Sequence, residues 1–439
     1  MGRGSGKFAL GREKWITCFV FVILVGVVHW TASNSPYLAS SINIFKGWSR
    51  QAILAYSTIN EAERQNPENQ WLDSGKVLEG SDESSPQLDG RKTTSPRVAI
   101  CLVGGARAFE LTGLTIKKYV LDVYDHPDIF LHVPFDENSH KLTVLQNSSH
   151  LVMARIFVPQ HIPENRLQQE VLTGSNSPNG IQGLLQYFSL VEGCLDMISE
   201  HETKHKFKYD WIIRTRVDGY WTGPLPPVTT WDPKHYHVPY GSSFGGLNDR
   251  FGVGTRNTSW TALSRLSLIP QLHERGFRNL NSETSFRSQL TSSNVTVELG
   301  EFPFCILSAR KYAWPPTRWG VPVASIKSKG NLNGAKCRPC HPAAIGDRAM
   351  DVLAGIDSGW GWIGPVHRGD IQLCDSTQDD EVGWEDVFDE VSGMELALIR
   401  RKITNRTVKE CIRDVKVFAK SWEVWIAPSA EILCASHEK

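Results

Sequence analysis

The sequence predicts an α/β fold in which a mixed sheet is flanked by helices. Residues 98–103 form a continuous apolar run, which is typical of a strand buried on both faces of a parallel sheet. Residues 181–200 carry apolar side chains at helical spacing, which predicts a long amphipathic helix. The apolar run Trp211, Ile212 and Ile213 comes soon after it, and alternation of strands with helices is typical of α/β domains.

Length and charge limit the possible classes of protein. The chain has 439 residues, of which 41% are hydrophobic, and this is enough for one large domain or two ordinary ones. Lys+Arg and Asp+Glu are equal at 47 each, so the formal net charge is zero. Because domains that bind nucleic acids are generally basic, we expect no nucleic-acid partner.

The N-terminus has the pattern of a membrane anchor. Basic residues in the segment 1–14 precede an apolar run at 15–30, which covers about 24 Å at the helical rise and is therefore slightly short for an average bilayer. Early secretory membranes are thinner, and the basic flank favours a cytosolic N-terminus. A cleaved signal peptide is the alternative, but a cut after Ala32 would place Trp30 three residues before it. We predict an uncleaved signal anchor.

Two further patterns favour a lumenal location for the rest of the chain. Four acceptor sequons for N-glycosylation begin at Asn147, Asn257, Asn294 and Asn405. Of nine cysteines, Cys18 lies in the apolar run, which leaves eight. An even number in an oxidising compartment predicts disulfides, with the pairing left open. We expect a single-pass type II protein of the Golgi or endoplasmic reticulum membrane.

The remaining chain divides into three predicted regions. Residues 31–96 are rich in Ser, Asn, Glu, Gln and Pro, a composition typical of a disordered stem. A folded domain is predicted at 97–320, and residues 321–439 are predicted to form a Cys- and Trp-containing extension packed on it.

Charged residues follow the strand predicted at 211–213. They are Arg214, Arg216 and Asp218, with Gly219 next. Ligands of open α/β sheets bind outside the carboxyl ends of strands, and two guanidinium groups suit a phosphorylated ligand. The alternative is a set of surface charges that pair with one another.

A glycine turn follows the first strand. Gly104 and Gly105 precede Arg107 and a helical pattern that extends to about residue 124. Such a turn lets backbone N–H groups approach a phosphate, although it also suits an ordinary tight turn. Arg107 favours a contact with a nucleotide.

The order of these segments resembles a known enzyme fold. The segments 98–109, 128–133, 211–218 and 248–256 and a helix containing Glu283 follow one another in an order that resembles GT-A-type glycosyltransferases. This resemblance covers residues 97–320. The chain as a whole is similar to an uncharacterised plant family of type II membrane proteins described as glycosyltransferase-like. The resemblance implies transfer of a sugar from a nucleotide sugar to a hydroxyl group of a glycan or glycoprotein acceptor.

The resemblance also implies a site for a divalent metal. GT-A enzymes bind Mn²⁺ or Mg²⁺ through an Asp-x-Asp motif, and the corresponding residues here are Arg216, Val217 and Asp218. Arginine replaces the first carboxylate, so two interpretations remain. Asp218 binds the metal, or Arg214 and Arg216 neutralise the diphosphate directly.

Other roles follow from the same resemblance. It implies that Gly104, Gly105 and Arg107 lie near the nucleotide and that Asp249 and Arg250 face the donor. It also makes Glu283 a candidate catalytic base beside the catalytic candidates Asp218 and Asp249. An alternative for Glu283 is an acid that offsets the dipole of a helix beginning near Ser282.

Two other functions remain open on the sequence alone. One is a non-catalytic lumenal protein that binds carbohydrate or acts as a scaffold. The other is a transferase that uses a different nucleotide cofactor, such as a methyltransferase.

The C-terminal third offers weaker patterns. Cys337, Cys340 and His341 fit structural disulfides, a zinc site that lacks an evident fourth ligand, or a haem-attachment motif; disulfides are the default. The segment 385–402 predicts one amphipathic helix, acidic at its start and basic at its end, as the helix dipole favours. Four tryptophans suit either sugar stacking or core packing, and they are Trp314, Trp319, Trp360 and Trp362.

Overall fold

The computed structural model describes residues 95–175, 177–356, 362–363 and 370–435. The predicted cytosolic tail, the anchor, the stem up to residue 94 and Trp360 lie outside these ranges. Within them, no helix is both long enough and apolar enough to cross a membrane.

The described residues contain two sheets. Their strands are β1 (Val98–Val103), β2 (Asp128–Pro134), β3 (Leu151–Phe157), β4 (Trp211–Arg216), β5 (Gly219–Trp221), β6 (His235–Pro239), β7 (Phe251–Thr255), β8 (Thr296–Gly300), β9 (Phe304–Leu307), β10 (Ala324–Ser325), β11 (Lys336–Arg338), β12 (Ala344–Ile345), β13 (Gln372–Leu373) and β14 (Val424–Ile426).

The larger sheet is mixed, as predicted. Its order is β14-β3-β2-β1-β4-β7-β6-β8. Strand β1 pairs in parallel with β2 and β4, whereas β7 runs antiparallel to β4. The chain therefore proceeds from β1 through β2 to β3 on one side and returns to the other side of β1 at β4. This reversal makes the carboxyl ends of β1 and β4 the point where such sheets bind ligands.

The second sheet begins where β4 ends. Its order is β12-β13-β10-β11-β9-β5, and β5 pairs antiparallel with β9. The chain passes from the first sheet to the second through Val217 and Asp218. In the second sheet Trp221 stacks on Phe304, with ring centroids 4.6 Å apart, which fixes the chain directly after the passage.

Helices flank both sheets. They are α1 (Phe109–Ile116), α2 (Arg166–Val171), α3 (Gly180–His205), α4 (Arg256–Leu263), α5 (Ile269–Glu274), α6 (Ser282–Ser292), α7 (Gly346–Ala354), α8 (Trp384–Ser392), α9 (Met394–Asn405), α10 (Val408–Lys420) and α11 (Ala430–Leu433). A π-helical turn, Lys117–Leu121, extends α1. The predicted long helix is confirmed as α3. Its residues Val191, Cys194 and Ile198 pack on one face of the larger sheet, and Phe109 of α1 lies in the core on the other.

The single helix predicted at 385–402 is wrong. Two helices, α8 and α9, occupy the segment, and Gly393 separates them with φ +85° and ψ +167°. This backbone conformation lies outside the α region and is accessible almost only to glycine. The charge pattern still fits, because Arg400 of α9 forms a bidentate pair with Asp389 of α8.

The predicted C-terminal extension contributes to both sheets. It supplies β10 to β13 of the second sheet, and β14 pairs in parallel with β3 at the edge of the first. Helix α10 packs near this edge through Phe418, whose ring contacts Trp422 and Trp425. The tail after residue 407 is therefore part of the sheet core.

All eight cysteines among the described residues form disulfides. The pairs are Cys101–Cys194, Cys305–Cys337, Cys340–Cys374 and Cys411–Cys434. The disulfide prediction is confirmed. The zinc and haem alternatives are wrong, because the sulfur atoms of Cys337 and Cys340 belong to two different bridges. Structural disulfides are typical of oxidising compartments, and the four sequon asparagines are exposed.

Candidate active site

A cleft of about 410 Å³ opens at the carboxyl end of β4. Its walls come from α3, β4, the loop before β7, the start of α6, the segment after β9 and β11. The lining includes Tyr187, Arg216, Asp249, Arg250, Ser282, Glu283, Arg310, Tyr312, Trp319 and Lys336. The sequence-predicted candidates Arg216, Asp249, Arg250 and Glu283 thus lie together, although up to 67 positions separate them in the printed sequence.

Arg216 and Asp218 form a bidentate ion pair at the passage between the sheets. Arg216 Nε donates to Asp218 Oδ1 at 2.8 Å, and Arg216 Nη2 donates to Oδ2 at 2.6 Å. Their side chains are 27% and 18% exposed. The predicted alternative, in which these charges pair with each other, holds for this couple, yet Arg216 also lines the cleft.

The pair shifts the pKa of both partners in the direction that keeps them charged. Burial opposes ionisation of the Asp218 carboxyl, but the charge and hydrogen bonds of Arg216, aided by Lys336 and Arg107, hold its pKa below the ordinary value. Burial likewise opposes the charge on Arg216, and Asp218 raises its pKa above that of a free guanidinium. Both groups therefore remain ionised at neutral pH.

Arg214 supports the cleft from beneath. It is only 2% exposed, and its Nη2 donates to the backbone carbonyl of Asp249. The hydroxyl of Tyr187 donates to the same carbonyl at 2.9 Å. Arg214 therefore fixes the loop that carries Asp249, and it is not among the residues that line the cleft.

Asp249 is a buried carboxylate with partners on the protein. Ser282 Oγ donates to its Oδ2 at 2.6 Å, and Arg265 Nη1 lies 3.4 Å from the same oxygen. Burial would raise its pKa, but Arg265, Arg214 and the Ser282 hydroxyl lower it. Asp249 is therefore a fixed negative charge.

Arg250 extends from the loop before β7 to the segment before β11. Its Nη1 donates to the Gly334 carbonyl at 2.7 Å, and its guanidinium lies 5.5 Å from the Phe244 ring centroid. Burial lowers its pKa and the charge of Glu283 opposes that shift. The remaining donors of this side chain can serve a ligand in the cleft.

Glu283 occupies the first turn of α6. Asn281 caps this helix by accepting from the Thr284 N–H at 2.8 Å. Burial and the nearby Asp249 charge raise the pKa of Glu283 to about 8. A carboxylate placed mainly to offset the helix dipole would have a lowered pKa. Glu283 is instead a neutral acid over much of the physiological range.

The glycine turn after β1 packs against the β4 passage. Gly104 has φ +124°, and a Cβ there would lie 3.3 Å from the Val217 side chain. A Cβ on Gly105 would lie 3.0 Å from Asp136 Oδ2. Arg107 is exposed. Burial raises the pKa of Asp136 and the Arg107 charge offsets part of that rise, while the same charge helps Arg216 to lower the pKa of Asp218. The positive φ of Gly104 favours glycine there, and a side chain at either position would require its neighbour to shift by a few tenths of an ångström.

Lys336 is a cleft residue that the sequence did not reveal. In the second sheet it pairs with Ile306, which also pairs with Gly219 directly after Asp218. Strand spacing places Lys336 about 10 Å across the sheet from Gly219, within reach of the Asp218 region. Burial and the charges of Arg250 and Arg216 hold its pKa well below the ordinary value. The only sequence signal was its position beside Cys337.

The outer wall of the cleft is aromatic and basic. Arg310, Tyr312 and Trp319 line it, and Trp319 is 58% exposed. In contrast, Trp362 is 7% exposed and packs edge-on against Phe244. Core packing therefore accounts for Trp362, while Trp319 presents an aromatic surface to the cleft.

The charges of the cleft favour an anion. Arg216, Arg250, Arg310 and Lys336 line it, against two acids, Asp249 and Glu283. Asp249 is compensated by Arg265, and a pKa of about 8 leaves Glu283 largely protonated at pH 7. Guanidinium and ammonium groups in a partly enclosed cleft are typical of phosphate recognition.

The same arrangement does not fit a divalent cation. A hard cation needs several oxygen ligands, but the Asp218 carboxylate is held by Arg216 and the Asp249 carboxylate by Arg265 and Ser282. Lys336 adds positive charge beside Asp218. Within the described ranges, the one group of three potential metal-ligating side chains lies elsewhere, at His201, His205 and Glu423.

The profile of one protein family matches most of the chain. It covers residues 93–439, and the family is described as a domain of unknown function, DUF7796. The chain belongs to this family. The match includes the cleft, both sheets and the four disulfides.

Comparison with individual proteins does not assign a function to the chain. Among curated proteins, none is similar enough to this chain to count as a match. A solved structure of mouse xyloside xylosyltransferase 1 in its apo form is similar over 47% of this chain and 85% of that chain, at 10% identity and a TM-score of 0.29. A likeness at this score assigns neither fold nor activity.

Proposed function

We propose that this DUF7796 protein is a glycosyltransferase of the secretory pathway that uses a nucleotide sugar as donor and a hydroxyl group of a glycan or glycoprotein as acceptor. The observation that carries the proposal is the cationic cleft at the carboxyl end of β4, beside the glycine turn of β1. This is the position where open α/β sheets bind nucleotides. The predicted anchor at 15–30 would hold the protein in the Golgi or endoplasmic reticulum membrane.

The cations of the cleft would stabilise the leaving group. In glycosyl transfer the bond between the anomeric carbon and the phosphate oxygen breaks, and its electron pair leaves with the nucleoside diphosphate. Arg216 and Arg250 supply positive charge for that diphosphate, and the diphosphate would favour the charged form of Lys336, whose pKa burial and the two arginines lower. In other enzymes a divalent metal supplies this positive charge. We therefore propose transfer that does not require Mn²⁺ or Mg²⁺.

The acceptor hydroxyl must lose a proton as its oxygen bonds to the anomeric carbon. Glu283 is our candidate for the group that takes this proton. Only the ionised form of Glu283 can accept this proton, and a pKa of about 8 makes that form a minority at pH 7 that grows as pH rises. Asp249, ionised and fixed, would favour the positive charge that develops on the sugar. Trp319, which is 58% exposed and has the Arg318 guanidinium 5.2 Å from its ring centroid, lines the cleft where a sugar would bind.

One observation favours a second function, which is ligand binding without transfer. Asp218, the residue at the position of a metal-binding carboxylate in the resembling enzymes, is engaged by Arg216 at both oxygens. A protein that kept the nucleotide cleft and lost turnover would look the same at this point. Hydrolysis of nucleotide sugars by the purified protein separates the two functions.

The ligand class can be tested by thermal melting. UDP or GDP should raise the melting temperature of the purified protein by mass action, and EDTA should leave the shift unchanged. Lys336→Ala should reduce the shift, whereas Lys327→Ala, which removes the half-buried partner of Glu390 outside the cleft, should not. Absence of any shift with nucleoside diphosphates or their sugars would exclude this function.

Two further variants distinguish the metal-free proposal from a metal site. Arg216→Ala removes two charge-assisted donors and leaves Asp218 unpaired, so we expect nucleotide affinity to fall about 10-fold or more, at ~1.5–3 kcal/mol per such contact. Asp218→Asn keeps the shape and frees the guanidinium, so binding should persist in EDTA. Nucleotide binding that requires Mn²⁺ and is lost in Asp218→Asn would contradict the metal-free proposal and identify Asp218 as a metal ligand.

A further inference from the structure

A second cluster of ligating side chains lies at the far end of α3. His201 and His205 are one helical turn apart on this helix and therefore share a face. Glu423, directly before β14, faces them, and one ligand atom from each of the three lies within 4.8 Å of the others. The two imidazole centroids are 4.3 Å apart.

We propose that His201, His205 and Glu423 form a zinc site that fastens the C-terminal edge strand β14 to helix α3. Two imidazoles and one carboxylate are a frequent zinc ligand set, completed by water. Tetrahedral bonds of ~2.1 Å would place ligand atoms about 3.4 Å apart. His205 Nε2 and Glu423 Oε1 already lie 3.3 Å apart, so a bound ion needs only modest side-chain movement.

A carboxylate behind His201 supports this assignment independently. His201 is buried, and its Nε2 lies 3.9 Å from Asp128 Oδ2. The hydroxyl of Tyr209 donates to the same oxygen at 2.7 Å. Histidines that bind zinc usually present their second ring nitrogen to a carboxylate, which fixes the ring and strengthens the ligand. With Nε2 toward Asp128, a bound zinc would take Nδ1 of His201.

Residues 201–205 also match the His-Glu-x-x-His pattern of zinc peptidases, in which the Glu acts as general base. Here Glu202 is unavailable for that role. Its side chain has no exposed surface and accepts hydrogen bonds from Arg256, Lys208 and the Tyr209 N–H. The proposed site is therefore structural. It would hold the C-terminal segment in place, because the Glu423 N–H donates to Leu151 O at the start of the β14–β3 pairing.

Lys204 is the natural competitor for the metal. Its Nζ lies 2.8 Å from Glu423 Oε1, and its side chain is 58% exposed. A divalent ion would displace this ammonium from the carboxylate. Removal of the lysine charge should therefore strengthen metal binding.

The test is titration of Zn²⁺ into the purified full chain, first freed of metal, with Co²⁺ as a spectroscopic probe of tetrahedral coordination. We expect one high-affinity equivalent. His205→Ala and Glu423→Gln should each abolish it, Asp128→Asn should weaken it about 10–100-fold, and Lys204→Met should tighten it. Zn²⁺ should also slow amide exchange in Val424–Ile426.

His341→Ala is the matched control, because His341 forms an exposed pair with Glu381 at 2.6 Å and belongs to no group of three potential ligands among the described residues. It should leave Zn²⁺ affinity unchanged. Zinc binding that is equally strong in His205→Ala and Glu423→Gln would overturn the proposal. So would a loss in His341→Ala as large as in those variants, because it would identify binding by surface histidines in general.

Discussion

At the scale of single residues, neighbouring charges give the two acids of the cleft opposite properties. Asp249 is held ionised because Arg265, Arg214 and Ser282 lower its pKa. Glu283 is held protonated because burial and the Asp249 charge raise its pKa to about 8. Such divergence between adjacent carboxyl groups is typical of sites that move protons.

The Glu283 shift predicts how stability depends on pH. The folded state holds this proton more tightly than the unfolded chain, where the ordinary value is 4.5. The contribution of Glu283 to the free energy of unfolding is therefore fully present below pH 4.5 and is lost as pH rises to about 8, with a slope of at most about 1.4 kcal/mol per pH unit.

Glu283→Gln should remove this slope. Chemical denaturation checks this prediction. The free energy of unfolding of the native protein and of the variant is measured between pH 5 and pH 8, in steps of about one unit. The variant should gain stability relative to the native protein as pH rises. Glu274→Gln, at an exposed position, is the control. A constant difference across this range would show that Glu283 titrates normally.

Part of this site could be predicted from the sequence and part could not. Arg216 was a candidate because it follows an apolar strand, whereas Asp249, Arg250 and Glu283 were candidates because of the resemblance to GT-A-type glycosyltransferases. Lys336 was missed because it reaches the cleft through pairing of β11 with β9, at a distance of 118 positions from Asp218 in the printed sequence. No local pattern encodes such a pairing.

At the scale of elements, Gly393 decides where one predicted helix becomes two. The apolar periodicity of residues 385–402 continues across it, so periodicity alone predicts one helix. The backbone of Gly393, at φ +85° and ψ +167°, instead turns the chain so that Arg400 meets Asp389. A Cβ at this position would meet no atom within 4 Å. The free-energy cost of adding one therefore comes only from the backbone conformation.

Gly393→Ala should therefore lower the free energy of unfolding by about 1–3 kcal/mol. Gly355→Ala is the control, because Gly355 has φ −75° and its added Cβ would meet ordinary contacts at 3.5 Å or more. The control should be neutral or stabilising by up to ~1 kcal/mol. Urea denaturation measures both. Equal stability of the two variants would mean that the break between α8 and α9 does not depend on glycine.

At the scale of the whole molecule, disulfides crosslink elements that are far apart in the sequence and packed together in the fold. Cys101–Cys194 joins the central strand β1 to helix α3 across 93 positions, whereas Cys411–Cys434 closes 23 positions around β14. A crosslink restricts the unfolded chain more when it closes a longer loop. The two bridges should therefore stabilise the fold to different extents.

Removal of either bridge by paired Cys→Ala substitution should destabilise the protein by about 2–5 kcal/mol. Loss of Cys101–Cys194 should cost about 1 kcal/mol more than loss of Cys411–Cys434, from the logarithm of the loop lengths. Denaturant unfolding of the two double variants gives the difference. A larger loss for the C-terminal bridge would show that docking of β14, rather than loop closure, dominates.

The sequence by itself determined the strands β1, β2 and β4, the long helix α3 and the presence of disulfides. The spacing of apolar residues is a local property and the cysteine count is a simple sum, so both can be obtained from the sequence without a structure. Only the tertiary structure decided that Arg216 holds Asp218, that Lys336 enters the cleft, that Glu423 meets His201 and that β14 completes the sheet. Each of these depends on orientation or on pairing between distant segments. The free energy that selects it comes from burial of the whole core and not from the sequence around any one residue.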